Sequence, residues 1–167
     1  MESAVLLVID FWGKVWYTLI IWNNTDKQGG IRMKADIVVK SIIYNKKLGR
    51  ILLVQRCNAD DIGAGTWENA GGNVEQGETP EFAMAREIYE ETGLTEVRIK
   101  RVAYVTLVNA EVPYLIIAYL CEALTENVTL SEEHQDFLWA DEAECRRLLP
   151  QAIIDDFDNN GIFEHLR

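Results

Sequence analysis

Apolar and polar residues alternate along much of the chain, in short runs rich in Val, Ile and aromatic residues. Such runs are typical of β-strands, and two runs joined by a short polar segment indicate a hairpin. The pattern predicts strands over residues 5–9, 15–21, 36–44, 50–55, 96–109, 112–123 and 136–139, the first six as three hairpins. It also predicts helices over residues 141–149 and 152–157. Strands alternating with helices predict an α/β or α+β sandwich.

The most informative helix is predicted between Thr79 and Gly93. Thr79 is a good N-cap, Pro80 suits the first helical position, and Gly93 is the usual left-handed residue beyond the end. At 100° per residue, one side of this helix carries the carboxylates of Glu87, Glu90 and Glu91. The other side carries Phe82, Ala85, Tyr89 and Thr92, with Ile88 at its edge, and we expect that side to face the core.

Two interpretations of the acidic side are open. Glutamate-rich helix faces are usually solvated surface. Like charges at i, i+3 and i+4 repel, however, and a cation that neutralises them makes the arrangement stable. An all-oxygen site of this kind suits Mg²⁺, with Mn²⁺ as the alternative. Arg86 lies at the border of the acidic side, where it can pair with one glutamate and hold it in place.

The segment from Gly72 to Leu94 resembles the signature of the Nudix hydrolases, and the chain is similar to MutT-like members of that family. The signature is Gly, five residues, Glu, seven residues, then Arg-Glu-aliphatic-any-Glu-Glu-any-Gly-aliphatic. The matching positions are Gly72, Glu78, Arg86, Glu87, Ile88, Glu90, Glu91, Gly93 and Leu94. The resemblance covers roughly residues 33–167 and implies the Nudix fold, a mixed β-sheet between helices.

The resemblance also implies roles for individual residues. We expect Glu87, Glu90, Glu91 and the carbonyl of Gly71 to bind the metal, with Gly72 and Arg56 at the substrate. Glu78 is expected to orient the helix rather than bind the metal. The catalytic set predicted from the sequence is Glu78, Arg86, Glu87, Glu90 and Glu133, the last from an acidic loop that includes Glu132.

Residues 1–32 precede the part that resembles the family. They comprise an apolar predicted hairpin and a polar linker over residues 23–30. A membrane span is not expected, because Asp10 and Lys14 would lie near its centre. Met1-Glu2-Ser3 lacks the basic start of a secretory signal. The segment is interpreted either as a hairpin for packing or homodimer formation, or as an extension that the domain at 33–167 does not need.

Composition narrows the class of partner. A length of 167 residues suits one domain with a sizeable core, and a formal net charge of −11 argues against a nucleic-acid polymer as partner. Nucleotides stay compatible, since a bound metal supplies positive charge. The cysteines, Cys57, Cys121 and Cys145, are odd in number and lack ligand spacing, which favours reduced thiols in a cytoplasmic protein over a zinc site.

The expected function is Mg²⁺-dependent hydrolysis of a phosphoanhydride bond in a substrate linked to a nucleoside diphosphate. The Gln55-Arg56 pair resembles one found in Nudix proteins that act on nucleoside triphosphates, which favours those substrates, including oxidised ones, with release of a monophosphate and pyrophosphate. ADP-ribose or a dinucleoside polyphosphate is the alternative. A nucleotide-binding module without turnover, and an assembly protein acting through the N-terminal hairpin, are the other classes considered.

Overall fold

The computed structural model describes residues 35–59 and 63–167 in full, and the backbone of residues 4–9 and 15–20. The elements in chain order are β1 (Ala4–Ile9), β2 (Val15–Ile20), β3 (Asp36–Asn45), β4 (Arg50–Arg56), β5 (Trp67–Glu68), α1 (Pro80–Thr92), β6 (Val97–Val108), β7 (Tyr114–Ala123), β8 (His134–Ala140), α2 (Glu142–Leu148), α3 (Gln151–Asn159) and a final 3₁₀ helix (Ile162–Leu166). Within these ranges, no helix is long and apolar enough to cross a membrane.

The chain divides into two compact units, Met1–Lys34 and Ala35–Arg167. In the first unit, β1 and β2 pair antiparallel, with Ala4 opposite Ile20 and Ile9 opposite Val15. The predicted strands of the first hairpin are therefore confirmed. The predicted linker over residues 23–30 lies outside the described residues, and the domain boundary between residues 32 and 33 stays a prediction.

The second unit contains a mixed sheet of six strands. Its order is β5-β4-β3-β7-β6, with β8 paired to β4. Strands β3 and β7 run parallel, whereas β6 with β7, β4 with β5 and β4 with β8 are antiparallel. Strands β3 and β4 meet only at their hairpin end, through Tyr44 with Ile51 and Asn45 with Arg50. Both hairpins predicted in this unit are confirmed.

Helices cover both faces of the sheet because successive side chains of each strand point to opposite faces. Ile42 and Leu53 pack on one face in a cluster that includes Cys145 of α2 and Phe157 of α3. On the other face, a second cluster joins residues of β3, β4 and β7 to α1; its members there include Val39, Ile43, Leu52, Ala83, Met84 and Ile88. The expected sheet between helices is therefore confirmed.

The core side of α1 agrees only in part with the side that was predicted, since Ile88 and Thr92 are buried as expected. The buried residues of this helix are Ala83, Met84, Ile88, Glu91 and Thr92. Phe82 and Tyr89, which were expected in the core, are 63% and 60% exposed, and Ala85 is also exposed. Relative to the prediction, the buried side of the helix is shifted towards the glutamates, because Glu91 accepts a hydrogen bond from the Gly71 amide in the interior. Phe82 and Tyr89 therefore face the solvent.

The glycine-containing segment before α1 runs along the free part of β3. The amide of Val39 donates to the carbonyl of Gly72 at 2.9 Å, and the amide of Ser41 donates to the carbonyl of Ala70 at 2.8 Å. Gly71, between them, has φ +137, and a Cβ there would lie 2.2 Å from the carbonyl oxygen of Val39. Only glycine fits so close to β3, and this contact fixes the loop beside α1.

The C-terminal helices follow the prediction closely. Asp141 caps α2 through a hydrogen bond from the amide of Glu144 at 2.9 Å. The Glu144 carboxylate in turn accepts from the amide of Asp141 at 2.9 Å, which completes a capping box. Helix α3 extends two residues beyond the predicted end of 157 and covers the sheet face opposite α1.

Candidate active site

Arg86 lies among three glutamates, and we name Glu78, Arg86, Glu87 and Glu90 the Arg86 cluster. The guanidinium donates to Glu78 through Nε at 2.8 Å and Nη2 at 3.0 Å. Its Nη1 donates to Glu87 at 2.8 Å and to Glu90 at 3.0 Å. These bonds, with Glu78 first, raise the pKa of Arg86, while Arg86 lowers that of Glu78. Three carboxylates around one cation leave the cluster with two surplus negative charges.

Glu91 is the buried member of the acidic side, at 7% exposure. One of its oxygens accepts a hydrogen bond from the amide of Gly71 at 2.8 Å. Burial raises the pKa of Glu91, although the nearby side chains of Lys40 and His134 oppose this rise. In the described part of the chain, Glu91 has no ion pair within 4.0 Å. A buried carboxylate without a contacting cation is a site where a bound cation has a large stabilising effect.

A metal ion needs ligands whose chemistry and position match. Across residues 35–59 and 63–167, no three acidic, histidine or cysteine side chains are already gathered into a metal-binding group. Glu87, Glu90 and Glu91 nevertheless share one side of α1, and no described residue donates a hydrogen bond to the carbonyl of Gly71. All these donors are oxygens, the type that Mg²⁺ prefers, so the residues fit the expected ion.

Gly72 provides room for one of these carboxylates. A Cβ at this position would lie 2.6 Å from Oε1 of Glu87, closer than any packing allows. Glu87 is also held by Arg86, at 2.8 Å. Because Gly72 has no side chain, Glu87 can lie directly against the loop. The predicted role of Gly72 in substrate binding stays a prediction.

A second charged cluster, which the sequence analysis did not identify, lies around Glu68. We name Lys40, Arg56, Glu68 and His134 the Glu68 cluster. One Glu68 oxygen is 2.6 Å from Nζ of Lys40. The other is 3.0 Å from Nη1 of Arg56 and 3.8 Å from Nε2 of His134. Burial alone would raise the pKa of Glu68, but His134, Lys40 and Arg56 outweigh it and lower the value to about 2.

Arg56 ends β4 under the loop that follows it. Its amide donates to the carbonyl of Thr66 at 3.0 Å, and its carbonyl accepts from the amide of Gly65 at 3.2 Å. The side chain of Gln55 donates to the Gly65 carbonyl at 2.9 Å, so this amide secures the loop. Arg56 is 34% exposed, beside Glu68. This partial exposure is compatible with the predicted contact between Arg56 and the substrate, which stays a prediction.

The loop that carries Glu133 runs past the end of α1. The amide of Ser131 donates to the carbonyl of Glu91 at 3.3 Å, and the amide of Thr129 donates to that of Thr92 at 2.9 Å. Glu133 is exposed, and its carbonyl accepts from the amide of Cys57 at 3.0 Å. The structure thus brings the backbone at Glu133 close to the acidic helix. The catalytic role predicted for its side chain stays a prediction.

A family model for the NUDIX domain matches residues 34–157, well over half of the chain. The chain belongs to the Nudix hydrolase family. The nucleoside triphosphatase NudI of Enterobacter sp. (strain 638) is 32% identical over 120 residues, which cover 64% of this chain and 82% of that protein. NudI of Escherichia coli (strain SE11) is 30% identical over 118 residues, with the same coverage of both chains.

Solved structures of Nudix proteins share this architecture. The MutT protein from Methanosarcina mazei Go1 matches with a TM-score of 0.66 and 27% identity, over 79% of this chain and 96% of that one. An Ap4A hydrolase from C. elegans matches with a TM-score of 0.63 and 22% identity, over 75% of this chain and 96% of its own, which is a likeness of fold alone. The protein therefore has the α/β Nudix fold and is a MutT-like Nudix pyrophosphohydrolase.

The Nudix signature accounts for the Arg86 cluster but does not include Lys40 or Glu68. A signal for Lys40 is present in the sequence, since it is the one charged residue between Val38 and Tyr44 in a central strand. A lysine inside such an apolar run requires a buried or half-buried anion. Which anion pairs with it depends on the neighbouring strands β4 and β5, and the sequence alone does not give that pairing.

Proposed function

We propose that this Nudix hydrolase cleaves nucleoside triphosphates, including oxidised ones, in a Mg²⁺-dependent reaction that releases a monophosphate and pyrophosphate. The observation that carries the proposal is that the acidic side of α1 adjoins a pair of cations. Lys40 lies on β3 between Val39 and Ser41, whose amides bond the carbonyls of Gly72 and Ala70. Gly71, between those two residues, donates its amide to Glu91. Lys40 in turn shares Glu68 with Arg56. An acid-rich surface beside a cation-rich one suits a metal-bound polyphosphate. The relatives named nucleoside triphosphatase support the same substrate class.

In this proposal Glu87, Glu90, Glu91 and the Gly71 carbonyl hold Mg²⁺, with Mn²⁺ as a substitute. A divalent ion bound there supplies charge neutralisation for phosphate oxygens and lowers the pKa of a bound water. Arg86 keeps Glu87 and Glu90 in place through its hydrogen bonds of 2.8 Å and 3.0 Å. A ligand set fixed in advance needs less reorganisation when the reaction occurs.

Glu78 has a different part from the other acids. It accepts two hydrogen bonds from Arg86, at 2.8 and 3.0 Å, and one from the amide of Glu75 at 3.0 Å. All these partners are protein groups, and Glu78 is only 12% exposed. We propose that Glu78 orients Arg86 and, through it, the metal-binding carboxylates.

The hydrolytic water must lose a proton, and carboxylates are the available bases. The proposed acceptor is one of the helix glutamates or Glu133, whose exposed side chain stands on the loop at the end of α1. Glu133→Gln distinguishes these two possibilities. If Glu133 is the base, the variant loses hydrolytic activity while it still binds the metal. If the activity of this variant is unchanged, the proton acceptor is one of the helix glutamates.

Product analysis with a nucleotide panel tests the proposed reaction. The panel contains normal and oxidised deoxynucleoside triphosphates, ADP-ribose and a dinucleoside polyphosphate, each with Mg²⁺ and with chelator. We expect Mg²⁺-dependent release of monophosphate and pyrophosphate from a triphosphate. If only ADP-ribose or only the dinucleoside polyphosphate is cleaved, that compound replaces nucleoside triphosphates as the substrate class. Tight nucleotide binding without cleavage would replace the hydrolase with a binding module.

Two further properties belong to the proposal. We place the protein in the cytoplasm, on the ground that Cys57, Cys121 and Cys145 are all free. A homodimer formed through the N-terminal hairpin stays a prediction, and sedimentation of the full chain tests it. A monomer over the micromolar range would remove the dimer from the account.

A further inference from the structure

Glu68 joins side chains from three strands in one small cluster. Lys40 comes from β3, Arg56 from the end of β4 and Glu68 from β5. The carboxylate is 19% exposed, whereas Lys40 and Arg56 keep 24% and 34% of their side chains at the surface. The carboxylate is therefore somewhat more buried than the two cations, and all three side chains are partly accessible to solvent.

Both oxygens of Glu68 are engaged by protein groups. Oε2 lies 2.6 Å from Lys40, and Oε1 lies 3.0 Å from Arg56. His134 faces Oε1 at 3.8 Å with a side chain that is 1% exposed. Neither ring nitrogen of His134 has a hydrogen-bond partner among the described residues, so the ring closes the cluster from the side of β8. A carboxylate enclosed in this way acts on the two cations and has no oxygen left for a ligand.

The charge of the cluster distinguishes it from an ordinary ion pair. Lys100 and Glu122 form a one-to-one pair at 3.2 Å, in which the charges balance. Glu68 instead contacts two cations, Lys40 at 2.6 Å and Arg56 at 3.0 Å. Long flexible cations lose conformational freedom when they bind an anion, and prior fixation removes part of that cost. A pair of cations held at fixed positions is thus suited to an anionic ligand.

We propose that Glu68 is a positioning residue that holds Arg56 and Lys40 together for the phosphate groups of the nucleotide. The inference rests on the proposed function and adds Lys40 to the substrate-binding residues. Glu68 does not touch the substrate, and its effect passes through Arg56 and Lys40. Its loss therefore weakens nucleotide binding, while Mg²⁺ activation and the chemical step stay close to those of the natural protein.

The test compares Glu68→Gln with Glu122→Gln. Both changes replace a carboxylate of similar exposure, 19% and 16%, with an amide of the same shape. Glu68→Gln should raise KM for the nucleoside triphosphate about tenfold, the scale of one lost charge-assisted contact, and change kcat less than about threefold. Glu122→Gln should leave both constants unchanged. A tenfold fall in kcat with an unchanged KM for Glu68→Gln would overturn the proposal.

A double-mutant cycle with Arg56→Gln separates positioning from an independent role. If Glu68 acts through Arg56, Glu68→Gln should add less than about threefold to KM once Arg56 is absent. Fully additive effects would show that Glu68 acts by another route, and would overturn the proposal. Lys40→Met gives the matching cycle for the second cation.

A measurement on the protein without nucleotide keeps the inference separate from the proposed function. Hydrogen exchange of the Arg56 Nε–H, followed by NMR and assigned with Arg56→Lys, reports whether Glu68 fixes the guanidinium. Exchange should be about tenfold faster in Glu68→Gln and unchanged in Glu122→Gln. Equal exchange in all three proteins would overturn positioning even if a triphosphate is cleaved. If no triphosphate is cleaved, the proposed function fails, and this exchange still decides whether Arg56 is held. If Glu68→Gln does not fold, Glu68→Asp, which withdraws the carboxylate by one methylene, is measured in its place.

Discussion

The Arg86 cluster and the Glu68 cluster are built from the same residue types in opposite proportions. Arg86 is a single cation among three carboxylates, whereas Glu68 is a single carboxylate between two cations. Carboxylates are in the majority in the first cluster, and cations are in the majority in the second. Each is therefore suited to a ligand of the opposite sign, a metal ion on one side and phosphate groups on the other. The difference supports the division of labour that we propose, in which one cluster binds the metal and the other binds phosphate groups.

A third cluster shows that an arginine among carboxylates is not by itself a site. Arg146 bonds to Glu142 at 2.8 Å and to Asp158 at 2.6 Å, and its guanidinium lies 4.7 Å from the ring centre of Phe163. These three charged side chains are 39–47% exposed and come from α2 and α3, on the sheet face opposite α1. The Arg86 cluster differs in the low exposure of Arg86, Glu78 and Glu87, at 12–19%, and in the glycine loop packed against it.

The largest effect is expected from Glu90→Gln in the Arg86 cluster. Glu90 is 54% exposed, so the amide should leave the fold intact while removing a charge that we propose binds the metal. We expect kcat to fall by about 100-fold or more, the scale of a lost electrostatic contact at a reaction centre. Glu96→Gln, an exposed change just beyond the same helix, is the control. If kcat of Glu90→Gln equals that of the natural protein, Glu90 is not a residue of the active site.

Gly71→Ala should displace the glycine loop from β3 and from Glu91 of α1. The new Cβ would lie 2.2 Å from the Val39 carbonyl, so the loop must move and its hydrogen bond to Glu91 is lost. We expect a loss of about 3 kcal/mol or more in the free energy of unfolding, measured with urea.

The matched change is Gly77→Ala, at φ +93 with nothing within 4 Å of the new Cβ. It carries backbone strain without a clash and should cost about 1 kcal/mol. Equal losses in the two variants would show that the close approach of Gly71 to β3 does not matter for stability.

The Glu68 cluster should stabilise the fold in a pH-dependent way. Its partners lower the pKa of Glu68 from the ordinary 4.5 to about 2, so the ionised form is favoured in the folded protein. This stabilisation is present above pH 4.5 and is lost as the pH falls towards 2, with an upper limit on the order of 3 kcal/mol. The difference in urea unfolding between the natural protein and Glu68→Gln should therefore be full at pH 6, smaller below pH 4.5, and lost only as the pH falls through 2. A gap that does not change with pH would contradict the assigned cause.

Arg86→Lys and Arg146→Lys compare the two arginine clusters directly. Lysine keeps the charge but cannot replace the fork that bonds Glu78, Glu87 and Glu90 together. We expect a loss of about tenfold in kcat/KM for Arg86→Lys and no change for Arg146→Lys, with steady-state kinetics as the measurement. A similar loss in both would indicate a general effect of surface charge.

The smallest effect is expected from removal of residues 1–32. Every side chain of the Arg86 and Glu68 clusters comes from residues 40–134. The shortened chain should keep kcat/KM within about twofold if residues 33–167 form a complete domain. A large loss of activity with unchanged folding, assessed by circular dichroism, would assign a part of the site to the removed segment.

Local patterns predicted much of this fold. The strand runs, the Thr79 and Gly93 helix ends and the Asp141 cap all depend on neighbouring residues, and all are present. The core side of α1 was predicted only in part, since Ile88 and Thr92 are buried as expected whereas Phe82, Ala85 and Tyr89 are exposed. Glu91 is buried since a distant amide, that of Gly71, bonds to it.

The Arg86 cluster was partly predictable for the same reason, because its members lie within thirteen residues on one loop and helix. The Glu68 cluster was not predictable. Lys40, Arg56, Glu68 and His134 meet only because β4 pairs with both β5 and β8 and because the glycine segment runs along β3. Contacts set by strand pairing over such distances leave no spacing in the sequence to recognise.

The division of labour is tested most directly by calorimetric titration of two variants with two ligands. The variants are Glu90→Gln and Arg56→Gln, and the ligands are Mn²⁺ alone and a non-hydrolysable nucleoside triphosphate without metal. We predict that Glu90→Gln weakens Mn²⁺ binding about tenfold or more and leaves nucleotide binding unchanged, and that Arg56→Gln has the opposite pattern. If each variant weakens both ligands equally, the two clusters act as one unit and the account is wrong.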